Sequence, residues 1–300
     1  MSLAHKQKAH QQKYFALAAL IYGAISWGLI WYPYRLLNDN GLAGVQSSVL
    51  SYWLALLIGG LLFWRRYADI VKVPASAYWL SLVAGWTNLA YVLAIIDGEV
   101  MRVMLLFYLS PLWTLLLARI WLNERWQRPQ LIAIALSLIG AELMLTDGQW
   151  GLPWPQSTSD WLALSAGIGF SITNVITRFS THLTVAAKSM LVWLGVFSLS
   201  VIVLLWQEGL AGFAIISSVN MHAMSLLLLI ALMITSATLL VQYGVTKIPA
   251  IQASVLFMFE LIVAAVAAYF LANETMSLIE MIGGLCIVAA GLLSVWYSNE

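Results

Sequence analysis

Charged residues are scarce in this chain of 300 residues: only 9% are Asp, Glu, Lys or Arg, whereas 62% are hydrophobic. A soluble domain carries about 25% charged residues. This composition excludes a soluble globular protein and indicates a chain that crosses a membrane several times. The formal net charge is only +1, so we expect no nucleic-acid partner.

Residues that bind metals or phosphates, or that form disulfides, are also few or badly placed. The one cysteine, Cys286, excludes an internal disulfide. All four histidines lie in the tails or between the apolar segments, and no glycine-rich phosphate loop is present. A metal centre inside the membrane and an ATP-driven pump are therefore not expected. No Ser, His and Asp share one membrane depth, which argues against a hydrolase. We expect no cofactor and no metal ion.

Long apolar runs make up most of the sequence. A helix rises ~1.5 Å per residue, so about 20 apolar residues cross the ~30 Å hydrocarbon core of a bilayer. The chain is predicted to be an all-α membrane protein with ten transmembrane helices, and the lipid bilayer is an expected partner. The ten segments are residues 14–37, 45–64, 77–96, 100–122, 129–146, 160–179, 187–206, 223–245, 250–272 and 277–297.

The basic residues predict the orientation of these segments. If the N-terminus is cytoplasmic, only Arg35 and Arg102 of the 14 basic residues lie outside, and the others, Lys188 included, lie in cytoplasmic loops or tails. Cytoplasmic loops of membrane proteins carry an excess of Lys and Arg. We therefore expect a multi-pass protein with both termini in the cytoplasm.

The fourth segment carries Pro111 at its centre. Proline removes one backbone N–H and frees the carbonyl oxygen of Phe107, four residues earlier. Lipid cannot bond that oxygen, so the break is predicted to face protein or a water-filled cavity. The segment ends in Asn123-Glu124, and the ninth segment ends in Asn273-Glu274, 150 residues later. Both glutamates are expected to cap or tie the ends of neighbouring helices.

These two endings belong to an internal repeat. The shift of 150 residues also places Gly283 opposite Ala133, and a shift of 143 pairs Trp27 with Phe170. Each half holds five segments, an odd number, so the second half must be inverted in the membrane relative to the first. The predicted organisation is a cytoplasmic tail (1–13), a first five-helix repeat (14–146), a linker loop (147–159) and a second, inverted five-helix repeat (160–297).

The sequence resembles the drug/metabolite transporter superfamily, and within it the ten-helix EamA-type exporters. The resemblance covers nearly the whole chain and rests on the five-plus-five arrangement, Trp27-Gly28, Pro111 and the two Asn-Glu endings. The chain looks most like the bacterial aromatic amino acid exporters, which also handle the dication paraquat. This resemblance implies export across the bacterial inner (plasma) membrane. In one departure, Leu261 stands 150 residues after Pro111, so no matching kink is expected in the second half.

Two ionisable residues inside the segments are functional candidates. Glu260, near the middle of the ninth segment, is either a proton-coupling carboxylate or a site for a substrate ammonium. The alternative is a protonated glutamate that bonds a neighbouring helix. Arg102 either guides a substrate carboxylate or extends outward to a neighbouring acidic residue, and the second interpretation is favoured.

Aromatic and amide side chains deep in the segments predict a substrate cavity. An amide at lipid depth needs a partner, which a cavity supplies, although bonding and packing between helices is the alternative. Such a cavity suits a flat, amphipathic solute, and aromatic faces can equally hold a cation. The candidate substrate-binding residues are Trp27, Asn88, Tyr91, Tyr108, Ser110, Phe170, Asn174, Tyr243 and Phe257.

The sequence therefore predicts a secondary transporter that exports small aromatic or hydrophobic amino acids by alternating access around a midplane cavity. Its expected partner is a small-molecule substrate, and Pro111 is its predicted hinge. A multidrug or paraquat-type cation exporter is the alternative within the same class, and a membrane-embedded enzyme or receptor is the alternative outside it. An enzyme is not expected. Because one chain contains both repeats, a monomer is expected.

Overall fold

The computed structural model describes residues 3–42, 44–66, 72–98, 100–146, 155–271 and 277–297. Within these ranges the side chains of residues 3–10, 95–97, 100–102, 215–218 and 297 are not described. The side chain of Arg102, the Asn273-Glu274 ending and residues 147–154 of the linker therefore lie outside the described part of the chain.

All regular structure in the described ranges is helical. Short 3-10 helices cover Trp64–Arg66, Ala75–Ala77 and Gly209–Ser218. The α-helices are α1 (Leu3–Asp39), α2 (Gly44–Leu62), α3 (Tyr78–Asp97), α4 (Val100–Phe107), α5 (Ser110–Trp121), α6 (Arg128–Thr146), α7 (Thr158–Phe179), α8 (Val185–Glu208), α9 (Met221–Lys247), α10 (Ala250–Phe257), α11 (Phe259–Leu271) and α12 (Leu278–Tyr297).

These helices confirm the prediction of an all-α membrane protein. Nine stretches among the described residues are long and apolar enough to cross a bilayer. The 20-residue helix α3 corresponds to the remaining one of the ten predicted segments. The fourth segment consists of α4 and α5, and the ninth consists of α10 and α11.

Polar residues fix where several helices begin. At α7, the Ser157 hydroxyl accepts a hydrogen bond from the Asp160 N–H, and the Asp160 carboxylate accepts one from the Ser157 N–H. Ser277 and Glu280 form the same reciprocal pair at the start of α12. Thr184 caps α8 through the Ala187 N–H. The first N–H groups of a helix have no partner within it, so such caps set its starting point.

Both the fourth and the ninth segments are interrupted near their centres. The first interruption separates α4 from α5, beside Pro111, as the sequence predicts. The second separates α10 from α11 at Met258, although Leu261 stands where a matching proline would be. The expectation that the second half lacks a matching break is therefore wrong.

Short-range backbone hydrogen bonds explain the second interruption. The N–H of Met258 donates to the oxygen of Val255, and the N–H of Leu261 donates to the oxygen of Met258. Both bonds span three residues, as in a 3-10 turn, instead of the four residues of an α-helix. A tighter turn of this kind interrupts an α-helix without a proline.

Helices of the two halves pack in corresponding pairs. Helix α1 packs on α9, and α7, its counterpart in the second half, packs on α3. Helix α1 also contacts α11, as α7 contacts α5. Two further contacts join counterparts directly, α6 with α12 and α2 with α8. Each of these contacts is thus preserved when the two halves are exchanged.

Glycines allow the closest of these contacts. A Cβ added to Gly195 in α8 would lie 1.8 Å from the carbonyl oxygen of Ser81 in α3. Gly140 in α6 and Gly283 in α12 face each other in the same way. A Cβ added to either glycine would lie 2.6 Å from the carbonyl oxygen of the other. Small residues let membrane helices approach closely enough for their backbones to touch.

We expect Gly195→Ala to destabilise the protein by about 1–3 kcal/mol, because the added methyl group overlaps a backbone oxygen that cannot move away alone. Thermal unfolding of the purified protein in detergent measures the effect. Gly60→Ala is the matched control, since a Cβ at Gly60 meets no atom within 4 Å. Alanine favours a helix more than glycine does, so the control should unfold at an equal or higher temperature. Equal unfolding temperatures for the two variants would contradict this account of the α3–α8 contact.

Candidate functional site

Five aromatic side chains from four segments form one cluster beside the two interruptions. The ring centroid of Phe107 lies 4.9 Å from that of Tyr91, 5.4 Å from that of Tyr108 and 5.5 Å from that of Phe170. The Phe170 centroid lies 5.3 Å from that of Phe257. These separations and the tilted or edge-to-face angles are the favourable geometry for aromatic pairs. Phe107 is therefore the central ring of the cluster.

The structure thus brings together Tyr91, Tyr108, Phe170 and Phe257, four of the predicted substrate-binding residues. Sequence reasoning used Phe107 only for its carbonyl oxygen and missed its ring. The sequence did offer one indication that the ring matters, because Phe107 is an aromatic residue close before Pro111. The two breaks place Phe107, Tyr108 and Phe257 at helix ends, and from there Phe107 contacts both α3 and α7.

Glu260 lies in the first turn of α11, directly after the second interruption. Tyr108 is the residue whose side chain approaches the Glu260 carboxylate from the first break. Tyr91 also lies within the range of electrostatic interaction with that carboxylate. Tyr108 is only 4% exposed, whereas Glu260 is half-buried. The break of the fourth segment and the break of the ninth therefore meet at Tyr108 and Glu260.

The Phe107 carbonyl oxygen, which Pro111 leaves without its helical partner, faces protein as predicted. It lies 2.7 Å from the position that a Cβ on Gly167 of α7 would take. One turn further along α7, the Ser171 hydroxyl donates a hydrogen bond of 2.8 Å to the carbonyl oxygen of Ser110. Both predicted residues, Ser110 and Pro111, are buried at this contact with α7.

The second interruption has an equivalent contact on α1. A Cβ added to Gly28 would lie 2.7 Å from the carbonyl oxygen of Glu260. Gly28 corresponds to Ser171 under the shift of 143 residues, and Glu260 corresponds to Ser110 under the shift of 150. The two breaks therefore lie against equivalent positions of α1 and α7.

Trp27 and Asn88 belong to a second group, around Tyr52 of α2. The Asn88 amide nitrogen lies 3.5 Å from the Tyr52 hydroxyl oxygen, and Trp27 packs against the apolar cluster that contains Tyr52 and the buried Trp193. The oxygen of the Asn88 amide has no hydrogen-bond partner among the described residues. These two predicted residues are thus not part of the ring contacts around Phe107.

Asn174 and Tyr243 lie on the side of the aromatic cluster formed by α7 and α9. Asn174 is 4% exposed, and within the described part of the chain its amide nitrogen has no hydrogen-bond partner. Leaving a buried donor unpaired costs about 1–3 kcal/mol, so this nitrogen is suited to bind a ligand. Tyr243 packs with Phe170 and Phe257, and its ring centroid lies 5.2 Å from that of Phe15.

The predictions for two charged residues near helix ends, Glu124 and Lys188, compare differently with the structure. Glu124 accepts a hydrogen bond of 3.1 Å from the Ala250 N–H, which confirms that it ties the start of a neighbouring helix, α10. Lys188 was assigned to a cytoplasmic loop, and that assignment is wrong: the residue lies in α8 and is fully buried. Its position inside the seventh apolar segment, four residues after the Thr184 cap, was the signal that could have revealed it.

A groove of about 340 Å³ lies between α1 and α11. Its lining is entirely apolar, and none of the predicted substrate-binding residues contributes to it. Such a lining suits a hydrocarbon chain better than a polar solute. The lining residues are Leu29, Ile262, Val263, Val266, Ala267, Phe270 and Leu271.

Comparison with known proteins identifies the family. Residues 14–146 and 157–296 both match the EamA-like transporter family. The chain is 27% identical over 285 residues to a protein of Archaeoglobus fulgidus named an uncharacterized transporter, covering 93% of this chain and 95% of the relative. It is 25% identical over 118 residues to the protein RarD of Salmonella typhi, covering 38% of this chain and 37% of the relative.

A solved crystal structure shares the fold, with a TM-score of 0.77 at 13% sequence identity, over 97% of this chain and 99% of the other. The fold, the two family matches and the full-length relative agree with one another. Because the family matches cover most of both halves, the chain belongs to the EamA-like transporter family.

Proposed function

We propose that this transporter exports small aromatic or hydrophobic amino acids across the bacterial inner membrane. The observation that carries the proposal is the aromatic cluster around Phe107, joined through Tyr108 to Glu260. Aromatic rings bind a flat apolar side chain, and a carboxylate binds an ammonium group. The side chain of an aromatic amino acid can therefore contact the rings, and its ammonium group can bind Glu260, beside the two helix breaks.

Partial exposure supports a binding role for these groups. Tyr91, Phe107, Phe170 and Glu260 are half-buried although they lie near the middle of their segments. Their remaining surface is available to a solute that enters between α3, α7 and the breaks. Asn174, with its unpaired amide nitrogen, offers a donor for the solute carboxylate.

The proposed mechanism is alternating access, in which the segments that contain the breaks rock against the rest of the bundle. The equivalent contacts of the breaks with α1 and α7 support two inverted repeats. Inverted repeats interconvert inward-open and outward-open states by exchanging the conformations of their halves. In this arrangement Pro111 is the hinge, the N- and C-termini are cytoplasmic, and a single chain is sufficient.

A cation exporter is the second candidate, and one observation favours it. Within the described ranges, the side chain that acts on Glu260 is Tyr108 and not a basic residue, so no positive charge of the protein neutralises this carboxylate. A carboxylate beside aromatic faces also suits a quaternary ammonium or a dication such as paraquat. Competition between tryptophan and paraquat in one assay separates the two candidates.

We expect Tyr108→Ala and Phe170→Ala to lower the initial rate of labelled tryptophan uptake into proteoliposomes about tenfold, which corresponds to ~1.4 kcal/mol of lost binding. Trp27→Ala should lower the rate if the group around Tyr52 belongs to the same pathway. Trp206→Ala is the matched control, since Trp206 is 81% exposed. Unchanged uptake in all three site variants, at equal protein abundance, would remove the aromatic cluster from the substrate pathway.

For Glu260 we expect the Gln variant to lose any dependence of uptake on an imposed pH gradient, because an amide neither releases nor takes up a proton in this range. Glu280→Gln, which alters a helix-capping carboxylate instead, should keep the dependence. The same vesicles measured with and without the gradient give both values. If uptake by the unaltered protein is indifferent to the gradient, Glu260 does not couple protons to transport.

Replacing Pro111 by alanine restores a backbone N–H at the break and should straighten the segment. We expect slower exchange between conformations, so the maximal uptake rate should fall more than the affinity for tryptophan. Substrate binding to the detergent-purified protein and uptake into vesicles measure the two quantities separately. Equal losses in both would show that Pro111 is part of the binding site and not a hinge.

A further inference from the structure

Three basic side chains meet where α7 ends, α8 begins and α9 ends. The Lys188 ammonium donates to the Thr177 carbonyl oxygen at 2.7 Å and to the Thr246 hydroxyl at 2.9 Å. The Arg178 guanidinium donates to the Thr246 carbonyl oxygen. Lys247 follows directly in the last turn of α9. Two threonines therefore bind Lys188 and Arg178 at one end of the bundle, next to Lys247.

Among the residues that the structure describes, no acidic side chain is found to act on the buried Lys188. The charged side chains that act on Lys188 are Arg178 and Lys247, and both repel it. Helix ends help little: the C-termini of α7 and α9 contribute about −0.5 charge each, and the N-terminus of α8 about +0.5. The described residues thus leave the three positive charges largely uncompensated. Burying an ammonium that is hydrogen-bonded only to neutral oxygens costs several kcal/mol.

Several hydrogen-bond donors of the cluster have no partner among the described residues. An ammonium has three N–H donors, of which Lys188 uses two, and a guanidinium has five, of which Arg178 uses one. Access to them is graded, since Lys247 is exposed, Arg178 is half-buried and Lys188 is fully buried. An anion that reaches Arg178 and Lys247 from the membrane surface is therefore also stabilised by the buried charge of Lys188.

From these contacts we infer that Arg178, Lys188 and Lys247 form a binding site for an oxyanion, that is, a carboxylate or phosphate group. Planar guanidinium and compact ammonium groups together match the oxygens of such an anion. The site is separate from Glu260 and the aromatic cluster. The inference does not depend on which solute the protein exports, because its test measures binding without transport.

Thermal unfolding of the full-length protein in an uncharged detergent tests the site, with inorganic phosphate as the probe and chloride at equal ionic strength as the reference. A bound anion stabilises the folded protein, so phosphate should raise the unfolding temperature of the unaltered protein by about 2–4 °C. Lys247→Gln and Arg178→Gln should lose at least half of this rise. Arg128→Gln, which removes an exposed charge at the start of α6, should keep it.

A lipid headgroup and a free anion offer the same chemistry, and a second pair of samples separates them. In nanodiscs, phosphatidylglycerol should raise the unfolding temperature above that in phosphatidylcholine if the anion is a lipid headgroup. A rise with free phosphate in detergent, together with equal unfolding temperatures in the two lipids, identifies a soluble anion instead. Either rise supports the site if Lys247→Gln reduces it. Lys188→Met can fail to fold, so the exposed Lys247 carries the test.

The inference is overturned if phosphate and phosphatidylglycerol both leave the unfolding temperature unchanged. It is equally overturned if Lys247→Gln and Arg178→Gln show the same rise as Arg128→Gln, since the effect would then be general screening of surface charge. Neither result bears on tryptophan uptake, so loss of the anion site and loss of the proposed export function are distinguishable.

Discussion

A backbone carbonyl without a hydrogen-bond partner is not tolerated in lipid, and this constraint accounts for the arrangement around the two helix breaks. Each break leaves carbonyl oxygens inside the membrane that an unbroken helix would have bonded. The first break leaves the Phe107 oxygen against Gly167 of α7, and next to it Ser171 bonds the Ser110 oxygen. At the second break the backbone of Glu260 lies against Gly28 of α1. Small side chains at these positions therefore allow the broken segments to lie close to α1 and α7.

The breaks in turn position the aromatic side chains and the carboxylate of the candidate site. Because the helices end there, Phe107 and Phe257 both contact Phe170 of α7, and Phe107 also contacts Tyr91 of α3. Glu260 begins a new helix and meets the Tyr108 hydroxyl from the other half of the chain. A change in either break must alter this contact, so the surroundings of the carboxylate depend on both halves of the chain.

The sequence was sufficient to predict features that depend on composition or on neighbours along the chain. The ten apolar segments follow from the length that a bilayer requires, and the interruption beside Pro111 follows from its missing N–H. Glu124 was predicted to tie a neighbouring helix because it follows the end of an apolar segment, and it does so at Ala250. None of these inferences needed the packing of one helix against another.

Features that depend on how distant helices pack could not be predicted from the sequence. The break at Met258 arises from short backbone bonds and not from a proline. Lys188 is buried because Thr177 and Thr246, on two other helices, supply its oxygen partners. Separation of Trp27 and Asn88 from the ring contacts of Phe107 depends on the rotation of each helix, which one sequence does not define.

The equivalent contacts of the two breaks are unequal in strength. Ser171 forms a hydrogen bond across its contact, whereas Gly28 has no side chain and offers only backbone packing. A net hydrogen bond contributes about 1 kcal/mol, which is roughly a fivefold difference in an equilibrium constant. The apolar groove between α1 and α11 also lies on the weaker side. The repeat is thus not exact in energy: the contact of the first break with α7 has a side-chain hydrogen bond that Gly28 cannot supply to the second break.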